Sequence, residues 1–308
     1  MMDWTDRNCR FFHRRITRHA RLYTEMVTTG ALLHGDVPRH LDFDAAEHPL
    51  ALQLGGSEPA ELAACAKLAQ QWGYDEVNLN CGCPSERVQR GSFGACLMAE
   101  PTLVADCVKA MRDAVGLPVT VKHRIGIDRL DAYAFVCDFV GTLADAGCTV
   151  FIVHARSAWL KGLSPKENRE VPPLRYDYVY RLKQDFPAAT IVLNGGVAGD
   201  AQIAAHLQQV DGVMIGRDAY HHPWSMHDWD TRFFAAPAPA ATSRTQVEAA
   251  MVDYIERRGL AWPQVARHMM GLWNGEAGAR RWRQVWSDHK LKGEPASLVS
   301  GRALAQLG

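Results

Sequence analysis

The chain has 308 residues, of which 47% are hydrophobic and 22% are charged, and its formal net charge is zero. This is the composition of a globular protein with room for one large domain and a small one. The eight cysteines do not suggest a disulfide framework in a chain of this length, so reduced thiols and a cytoplasmic location are expected. The first residues lack the apolar core of a signal peptide, and no run is apolar enough to span a bilayer.

Short apolar, β-branched segments alternate with segments of helical periodicity. Strands are predicted at 22–27, 50–54, 76–80, 119–122, 150–154, 190–194 and 212–215, and helices at 59–72, 101–115, 132–146, 176–186 and 200–208. Such alternation implies parallel βα units, and a (β/α)8 TIM barrel matches the length. Only seven strands are predicted, so the first strand of the barrel is expected to lie upstream of this start or to be replaced.

A Pro/Ala-rich segment at 235–243 is predicted to link a barrel domain at 1–234 to a small helical domain at 244–308. A capping-box pattern at Ser243–Gln246 opens that domain, and helical patterns follow near 245–257, 263–272, 276–287 and 295–305. The domain has ten Lys/Arg against six Asp/Glu. A second basic run extends from Arg7 to Arg21. Both clusters suit a polyanion, although a solvated helix face would give the same pattern.

A candidate catalytic residue follows the apolar strand at 76–80, which runs into the turn Gly82-Cys83-Pro84. Groups just past the carboxyl ends of barrel strands line the active site, so Cys83 is expected there beside Asn80. A free thiol, with a pKa of about 8.5, is mostly protonated at neutral pH and can donate a proton. A structural cysteine is the alternative. No metal site is predicted, because Cys81 and Cys83 lack a second ligand pair at zinc spacing.

Basic side chains end two neighbouring strands. Lys122 and Arg124 are two residues apart and share a face, and the next strand ends in His154 and Arg156. A charge at the inner end of a barrel strand requires an anionic partner or solvent. The pattern indicates either an anionic or electron-rich ligand between these strands, or salt bridges with carboxylates at the strand ends.

The last two predicted strands are followed by Asn194-Gly195-Gly196 and by Gly216-Arg217. These are the usual places of a phosphate site in such barrels, where bare backbone N–H groups face the phosphate. Gln53 adds an amide that can bind the edge of a heterocycle. A phosphate, a polar ring and nearby cations describe FMN better than a sugar phosphate, and a lysine beside the flavin would stabilise its reduced anion.

Several motifs together resemble the tRNA-dihydrouridine synthases. They are Met1-Met2-Asp3-Trp4-Thr5-Asp6 and the segments 80–85, 119–122, 153–156, 163–169, 194–196 and 216–217, while Ser164–Arg169 and Arg267-His268-Met269 resemble the A-type subfamily. The resemblance implies an FMN barrel with a C-terminal helical domain that binds tRNA. The implied reaction is reduction of the C5–C6 double bond of D-loop uridines 20 and 20a with NADPH or NADH. It further implies a cytoplasmic, monomeric oxidoreductase without a membrane or DNA partner.

The resemblance also implies residue roles. Cys83 would give a proton to C5 of the uracil while reduced flavin gives a hydride to C6. Asn80 and Arg124 would face the uracil. The residues implied to contact FMN are Met1, Met2, Gln53, Lys122, His154, Asn194, Gly195, Gly196, Gly216 and Arg217, and those implied to contact tRNA are Lys166, Arg169, Arg280 and Arg283. Two departures are the missing first strand and Ser157, which replaces a basic residue of many A-type members.

Three alternatives stay open from the sequence. One is a different FMN barrel that reduces a free pyrimidine or an enone. The second is an aldolase-type barrel in which Lys122 forms a Schiff base. The third is an RNA-binding module without flavin.

Overall fold

The computed structural model describes residues 1–307, and of Arg87 it describes the backbone alone. The chain folds into two compact units. We call Met1–Leu22, Phe43–Pro49 and the chain from Gly216 onward the helical unit, and Tyr23–Asp42 with Leu50–Ile215 the barrel unit. The predicted segments 235–243 and 244–308 fall in the helical unit, save Gly308, which lies outside the described residues. The predicted functional division at 1–234, 235–243 and 244–308 stays a prediction.

The strands form one sheet in sequence order from β1 to β7. They are β1 (Leu22–Thr28), β2 (Leu50–Gly55), β3 (Glu76–Cys81), β4 (Val119–Arg124), β5 (Val150–His154), β6 (Thr190–Asn194) and β7 (Gly212–Met214). The registers from β2 to β7 are all parallel. All seven predicted strands are therefore confirmed, and the sheet has the strand order of a TIM barrel with seven strands.

The helices of the described residues are α1 (Arg7–Ile16), α2 (Thr29–His34), α3 (Val37–Leu41), α4 (Pro59–Trp72), α5 (Glu86–Arg90), α6 (Pro101–Ala114), α7 (Tyr133–Asp145), α8 (Tyr176–Asp185), α9 (Gly199–Leu207), α10 (Arg217–His221), α11 (Trp229–Phe233), α12 (Arg244–Arg257), α13 (Trp262–Met269), α14 (Ala279–Val285) and α15 (Ala296–Leu304). Among them, α2 to α9 lie between consecutive strands in the sequence, whereas α1 precedes β1 and α10 to α15 follow β7. Short 3-10 helices occupy Ala45–Glu47, Gly94–Ala99, Glu167–Arg169, Pro223–Met226 and His289–Leu291. None of the helices within residues 1–307 has the length and apolar character of a membrane span.

Local chemistry explains the regular elements of the barrel unit. Every residue of β3 is buried, as expected for a parallel strand covered on both faces. α4 begins with Pro59, whose missing N–H costs nothing in the first turn. It ends at Gly73, whose φ of 85° is a left-handed conformation that favours glycine. These start and stop signals explain why the predicted helix at 59–72 has the correct ends.

The basic run near the start of the chain forms α1, but several of its side chains are not solvated. Arg10 is 6% exposed and Arg14 is 4% exposed. Arg10 donates from Nε to Glu47 Oε2 over 2.6 Å. Arg14 donates to the backbone carbonyls of Thr17, Ala20, Glu47 and Pro49. For these two residues the solvated-face interpretation is wrong, since both guanidinium groups hold the helical unit together.

Glu248 on α12 is the centre of a second buried polar cluster in the helical unit. Its carboxylate is fully buried and accepts hydrogen bonds from the indole Nε1 of Trp273, Trp282 and Trp286 and from Ser300 Oγ. Burial raises the pKa of Glu248, whereas these four donors lower it. The three indole N–H groups and the Ser300 hydroxyl all donate here, so the carboxylate of Glu248, whose two oxygens both accept, satisfies all four donors.

We expect Glu248→Gln to destabilise the helical unit. The side chain keeps its shape, but an NH2 group then faces an indole N–H, which leaves a buried donor without an acceptor at a cost of about 1–3 kcal/mol. Denaturant unfolding followed by tryptophan fluorescence measures the free energy of unfolding. Glu256→Gln, on the exposed side of α12, is the control. Equal stability of the two variants would contradict the role of the buried carboxylate.

Candidate active site

The turn after β3 holds Cys83 through the side chain of Asn80. Asn80 Oδ1 accepts from the backbone N–H groups of Gly82 and Cys83, each over 3.0 Å. The Cys83 carbonyl accepts from the N–H of Ala95 over 2.9 Å. The Cys83 sulfur is half-buried and lies 3.7 Å from Ser85 Oγ. The thiol is therefore on a backbone fixed at both of its peptide groups.

The two neighbouring cysteines differ from Cys83. Cys81 is fully buried, and burial raises its pKa well above the ordinary range. Burial also raises the pKa of Cys96, whose Sγ donates to the Phe93 carbonyl over 3.1 Å. Cys81 is enclosed and the Cys96 thiol is bonded to a backbone carbonyl, so the geometry favours Cys83 as the reactive thiol of this segment.

A chain of hydrogen bonds crosses the sheet behind this turn. Asn80 Nδ2 donates to Gln53 Oε1 over 2.9 Å, and Gln53 Nε2 donates to Asn78 Oδ1 over 2.8 Å. Asn78 Nδ2 donates to Thr120 Oγ1, which donates to Glu76 Oε1. The sequence analysis names Gln53 and Asn80 as candidate site residues, but it does not name Asn78 and Thr120, which belong to the same hydrogen-bond chain. In β3 the polar residues Glu76, Asn78 and Asn80 alternate with apolar residues, so their side chains share one face of the strand. This pattern could have indicated Asn78.

Lys122 and Arg124 lie at the end of β4. Lys122 Nζ donates to Asn194 Oδ1 over 3.1 Å. Arg124 donates from Nε to the Gly82 carbonyl over 3.1 Å and from Nη1 to the Asn168 carbonyl over 2.9 Å. Desolvation lowers the pKa of Lys122 to about 8 and that of Arg124 to about 10. In both cases the negative charge of an ionised Cys83 would raise the pKa, although less than desolvation lowers it.

Within residues 1–307, neither Lys122 nor Arg124 forms a salt bridge with a carboxylate. The alternative that carboxylates at the strand ends neutralise these cations is therefore wrong. Desolvated cations that are bonded only to neutral oxygens favour an anionic or electron-rich ligand beside them.

His154 and the glycine turn after β6 form the adjacent part of the site. Burial, together with nearby cations, lowers the pKa of His154 well below its ordinary value, so the imidazole is neutral. Gly195 and Gly196 have φ angles of 115° and 70°. A Cβ on Gly195 would lie only 2.6 Å from Cδ2 of His154. Only glycine therefore lets this backbone pass the imidazole, and consecutive N–H groups in such turns form anion-binding concavities.

The side chain of Tyr176 holds the glycine turn through a hydrogen bond. Its hydroxyl donates to the Gly195 carbonyl over 2.8 Å, and its ring packs edge-on against His206. His206 is fixed in turn by a 2.7 Å hydrogen bond between its Nδ1 and the Tyr180 hydroxyl. Sequence reasoning missed Tyr176, because a tyrosine at the start of a helix carries no signal of a contact with a later turn.

The remaining residues predicted to contact FMN belong to the helical unit. Met1 and Met2 are exposed. Gly216 precedes α10, and Arg217 is its first residue. A Cβ on Gly216 would lie 3.5 Å from Met1 Sδ, so these two predicted residues are neighbours. Of the predicted tRNA contacts in this unit, Arg280 is exposed on α14 and Arg283 donates to Asn274 Oδ1 over 2.9 Å.

Residues 1–306 match the family model described as dihydrouridine synthase (Dus). The chain belongs to the dihydrouridine synthase family. A relative from Pseudomonas aeruginosa, named tRNA-dihydrouridine(20/20a) synthase, is 61% identical over 310 residues, covering 100% of this chain and 93% of the relative. A relative of the same name from Yersinia pestis is 55% identical over 309 residues, covering 99% of this chain and 89% of the relative. The resemblance found in the motifs is thereby confirmed.

The fold is also similar to that of a solved structure, a morphinone reductase. The TM-score is 0.51 at 13% sequence identity, over 80% of this chain and 85% of the other. At this identity the likeness concerns the fold alone. Together with the parallel strand order it confirms the predicted TIM-barrel class with an additional helical region.

In this member of the dihydrouridine synthase family, Lys166 and Arg169 are exposed on the loop after β5. The loop is anchored by Asn168, which is fully buried. Asn168 Oδ1 accepts from the Trp159 N–H over 2.7 Å, and Nδ2 donates to the Trp159 and Leu163 carbonyls. Asn168 is part of the motif Ser164–Arg169, but the sequence did not indicate that the Asn168 side chain holds the loop.

We expect Asn168→Ala to open this loop locally. The change removes the acceptor of the Trp159 N–H and the donors to the loop carbonyls, at a local cost of about 1–3 kcal/mol. Hydrogen exchange of peptides covering 157–170 should accelerate about tenfold or more, since about 1.4 kcal/mol is a factor of ten. Lys161→Ala, an exposed position in the same loop, is the control, and equal exchange in both variants would rule out the anchor.

Proposed function

We propose that this protein is an FMN-dependent tRNA-dihydrouridine synthase that reduces D-loop uridines with NADPH or NADH. The observation that carries the proposal is a fixed thiol, Cys83, in a turn bonded to the desolvated Arg124, which has no carboxylate partner within residues 1–307, in a member of the dihydrouridine synthase family. The names of the relatives support uridines 20 and 20a as the targets. The enzyme is then an oxidoreductase that acts on a CH–CH group.

The residues of the barrel unit fit FMN. The N–H groups of Gly195 and Gly196 suit a phosphate, because their turn excludes any side chain. The Gln53 amide suits the polar edge of a ring, and the Lys122 ammonium suits a negative charge on that ring. When bound and reduced, FMN supplies a hydride. The roles of Met1, Met2, His154, Asn194, Gly216 and Arg217 as further contacts remain part of the proposal.

Lys122 contributes charge at the site. A buried lysine with a pKa of about 8 is mainly protonated at neutral pH. An anion beside it favours the ammonium and raises the pKa further, so binding of an anionic ring and protonation of Lys122 reinforce one another. Asn194 Oδ1 fixes the position of this ammonium through its 3.1 Å hydrogen bond.

Cys83 donates the proton. Its S–H bond breaks, the proton goes to C5 of the uracil as the hydride reaches C6, and a thiolate remains. Lys122 and Arg124 stabilise that thiolate, because its negative charge and the two cations attract one another. Solvent then returns a proton to the thiolate. Asn80 keeps the sulfur in place through the two backbone N–H groups of the turn.

The target uridine must leave its stack to reach this site. Asn80 uses Oδ1 for the turn and one Nδ2 hydrogen for Gln53, so what it retains is a donor. Arg124 likewise offers only donors. The two carbonyl oxygens of uracil are acceptors that match such groups. We therefore assign Asn80 and Arg124 to the base.

The tRNA backbone would be bound by exposed basic residues. Lys166 and Arg169 lie on the loop anchored by Asn168, and Arg280 and Arg283 lie on α14. Contacts of this kind attract phosphates without reading sequence, so the affinity should fall as salt rises. A cytoplasmic location and a monomeric state remain predictions.

We expect Cys83→Ala to lose uridine reduction while it keeps FMN and tRNA, because only the proton donor is removed. The rate should fall about 10²–10⁴-fold, the usual contribution of general acid catalysis. The assay follows single turnover of the reduced protein on unmodified tRNA, with dihydrouridine mapped by mass spectrometry. Cys96→Ala is the control. Full activity of Cys83→Ala with an inactive Cys96→Ala would reverse the assignment, and no dihydrouridine from the unaltered protein would refute the function.

We expect Tyr176→Phe to weaken FMN binding about three- to tenfold, because it removes one hydrogen bond of about 0.5–1.5 kcal/mol from the glycine turn. Titration of the flavin-free protein with FMN, followed by flavin fluorescence, gives the dissociation constant without turnover. Tyr178→Phe, on the same helix, is the control. If both variants bind FMN as the unaltered protein does, the Tyr176 hydroxyl has no part in the site.

A further inference from the structure

A cavity of about 430 Å³ lies within the helical unit, at the end of α1. This volume is within the range of small-molecule sites, about 300–1,000 Å³. Its polar lining consists of Arg14, Arg15, Arg18, His48 and Gln246, and the rest is alanine and valine. Among the described residues, no carboxylate lines it.

Arg15 is the central feature of this cavity. Its guanidinium stacks on the ring of Phe11, 4.6 Å from the centroid, and Phe11 stacks on Tyr254 with centroids 4.1 Å apart. The stack fixes the plane of the guanidinium. Arg15 Nε is nevertheless buried and has no hydrogen-bond partner. A buried donor without an acceptor is costly, so this geometry favours an acceptor from outside the chain.

The other polar groups of the lining add donors. Arg18 Nη2 makes only a long hydrogen bond of 3.4 Å, to the Ala240 carbonyl. Gln246 Oε1 accepts from the backbone N–H and the hydroxyl of Thr242, so its amide N–H groups remain for a ligand. Arg14 is committed to backbone carbonyls and contributes its charge.

The neighbouring carboxylates are engaged elsewhere. Asp44 is the carboxylate that acts on Arg15, but it accepts from the Ala46 N–H and lies 3.9 Å from Arg258. Glu47 is bonded to Arg10. Asp230 accepts from the Thr17 hydroxyl and from backbone N–H groups. The cavity therefore has a surplus of positive charge and of donors.

We propose that this cavity binds a phosphate group, carried either by a small molecule or by the RNA backbone. Planar guanidinium groups match phosphate oxygens, and Arg15, Arg18 and the Gln246 amide N–H groups all offer donors here. The site is distinct in sequence from the one described above: Arg18 and His48 precede β1 and β2, whereas Cys83, Lys122 and Gly195 belong to strand ends or to the turns that follow them. The proposal does not rest on the proposed enzyme function.

Calorimetric titration with inorganic phosphate tests the site. The full-length protein with bound FMN, freed of excess flavin, is titrated at constant ionic strength set by chloride. We expect Arg15→Gln with Arg18→Gln to weaken phosphate binding about tenfold or more, because two charge-assisted hydrogen bonds are lost. Arg39→Gln with Arg302→Gln, a matched loss of two exposed arginines, should bind phosphate as the unaltered protein does.

A second variant keeps Arg15 and its packing on Phe11. Ala250→Glu places a carboxylate in the cavity from α12, where it can pair with Arg15 or Arg18. We expect this variant to fold and to lose phosphate binding to the same degree. Equal phosphate binding in the unaltered protein, the double arginine variant and Ala250→Glu would overturn the proposal, as would absence of saturable binding in the unaltered protein.

Binding of unmodified tRNA at several salt concentrations separates the two sources of the phosphate. If the RNA backbone is the ligand, the double arginine variant should lower the salt slope by about 1–2, since each phosphate contact contributes about 0.9. If a small molecule is the ligand, the slope should stay unchanged while the affinity for inorganic phosphate falls. Both results support the cavity as a phosphate site.

Discussion

The guanidinium of Arg124 is the group on which the geometry of the barrel-unit site depends. It is 3% exposed and is bonded to backbone carbonyls of three loop residues, Gly82, Ser157 and Asn168. A buried cation without a carboxylate is stable only if dipoles replace its hydration. The loops must therefore bring their carbonyls to Arg124. Arg124 thus joins the turn of Gly82 to the loop that carries Lys166 and Arg169, in addition to the contacts that Asn80 and Asn168 make within each segment.

The same cation sets the charge of the site. Lys122 and Arg124 are both desolvated and lie near Cys83, while the low pKa of His154 keeps the imidazole from adding another charge. Two fixed positive charges without a counterion cost stability before a ligand arrives. That cost is recovered by any step that brings or creates negative charge, such as binding of an anionic ring or formation of a thiolate. The two cations of the site therefore stabilise the anionic ring and the thiolate of the proposed reaction more than they stabilise the neutral groups before the reaction.

Sequence patterns predicted the strands and the turn that carries Cys83, because both depend on local chemistry: apolar runs define β2 to β6, and Gly82 and Pro84 define the turn. They did not predict the roles of Tyr176 and Asn168, because these depend on contacts with Gly195 and with Trp159 and Leu163, which the sequence pattern does not show. The basic run of α1 shows the same limit. Composition cannot tell a guanidinium in water from one bonded to buried carbonyls, because the carbonyls of Glu47 and Pro49 come from a distant part of the chain. The roles assigned to Met1, Met2 and Arg217 still rest on the resemblance, and that of Arg280 rests on its position in the predicted helical domain.

The two polar clusters of the helical unit show why Arg15 stands out. Around Glu248, four donors meet one carboxylate, and each of these donors has an acceptor. Around Arg15, the charge and the donors are present but the acceptor is missing from the described chain. Both clusters lie in the same unit, and the fold evidently can supply a buried carboxylate where a cluster of donors requires one. At Arg15 the nearby carboxylate of Asp44 acts through its charge but does not line the cavity, so the proposed phosphate would supply the acceptor that this cluster lacks.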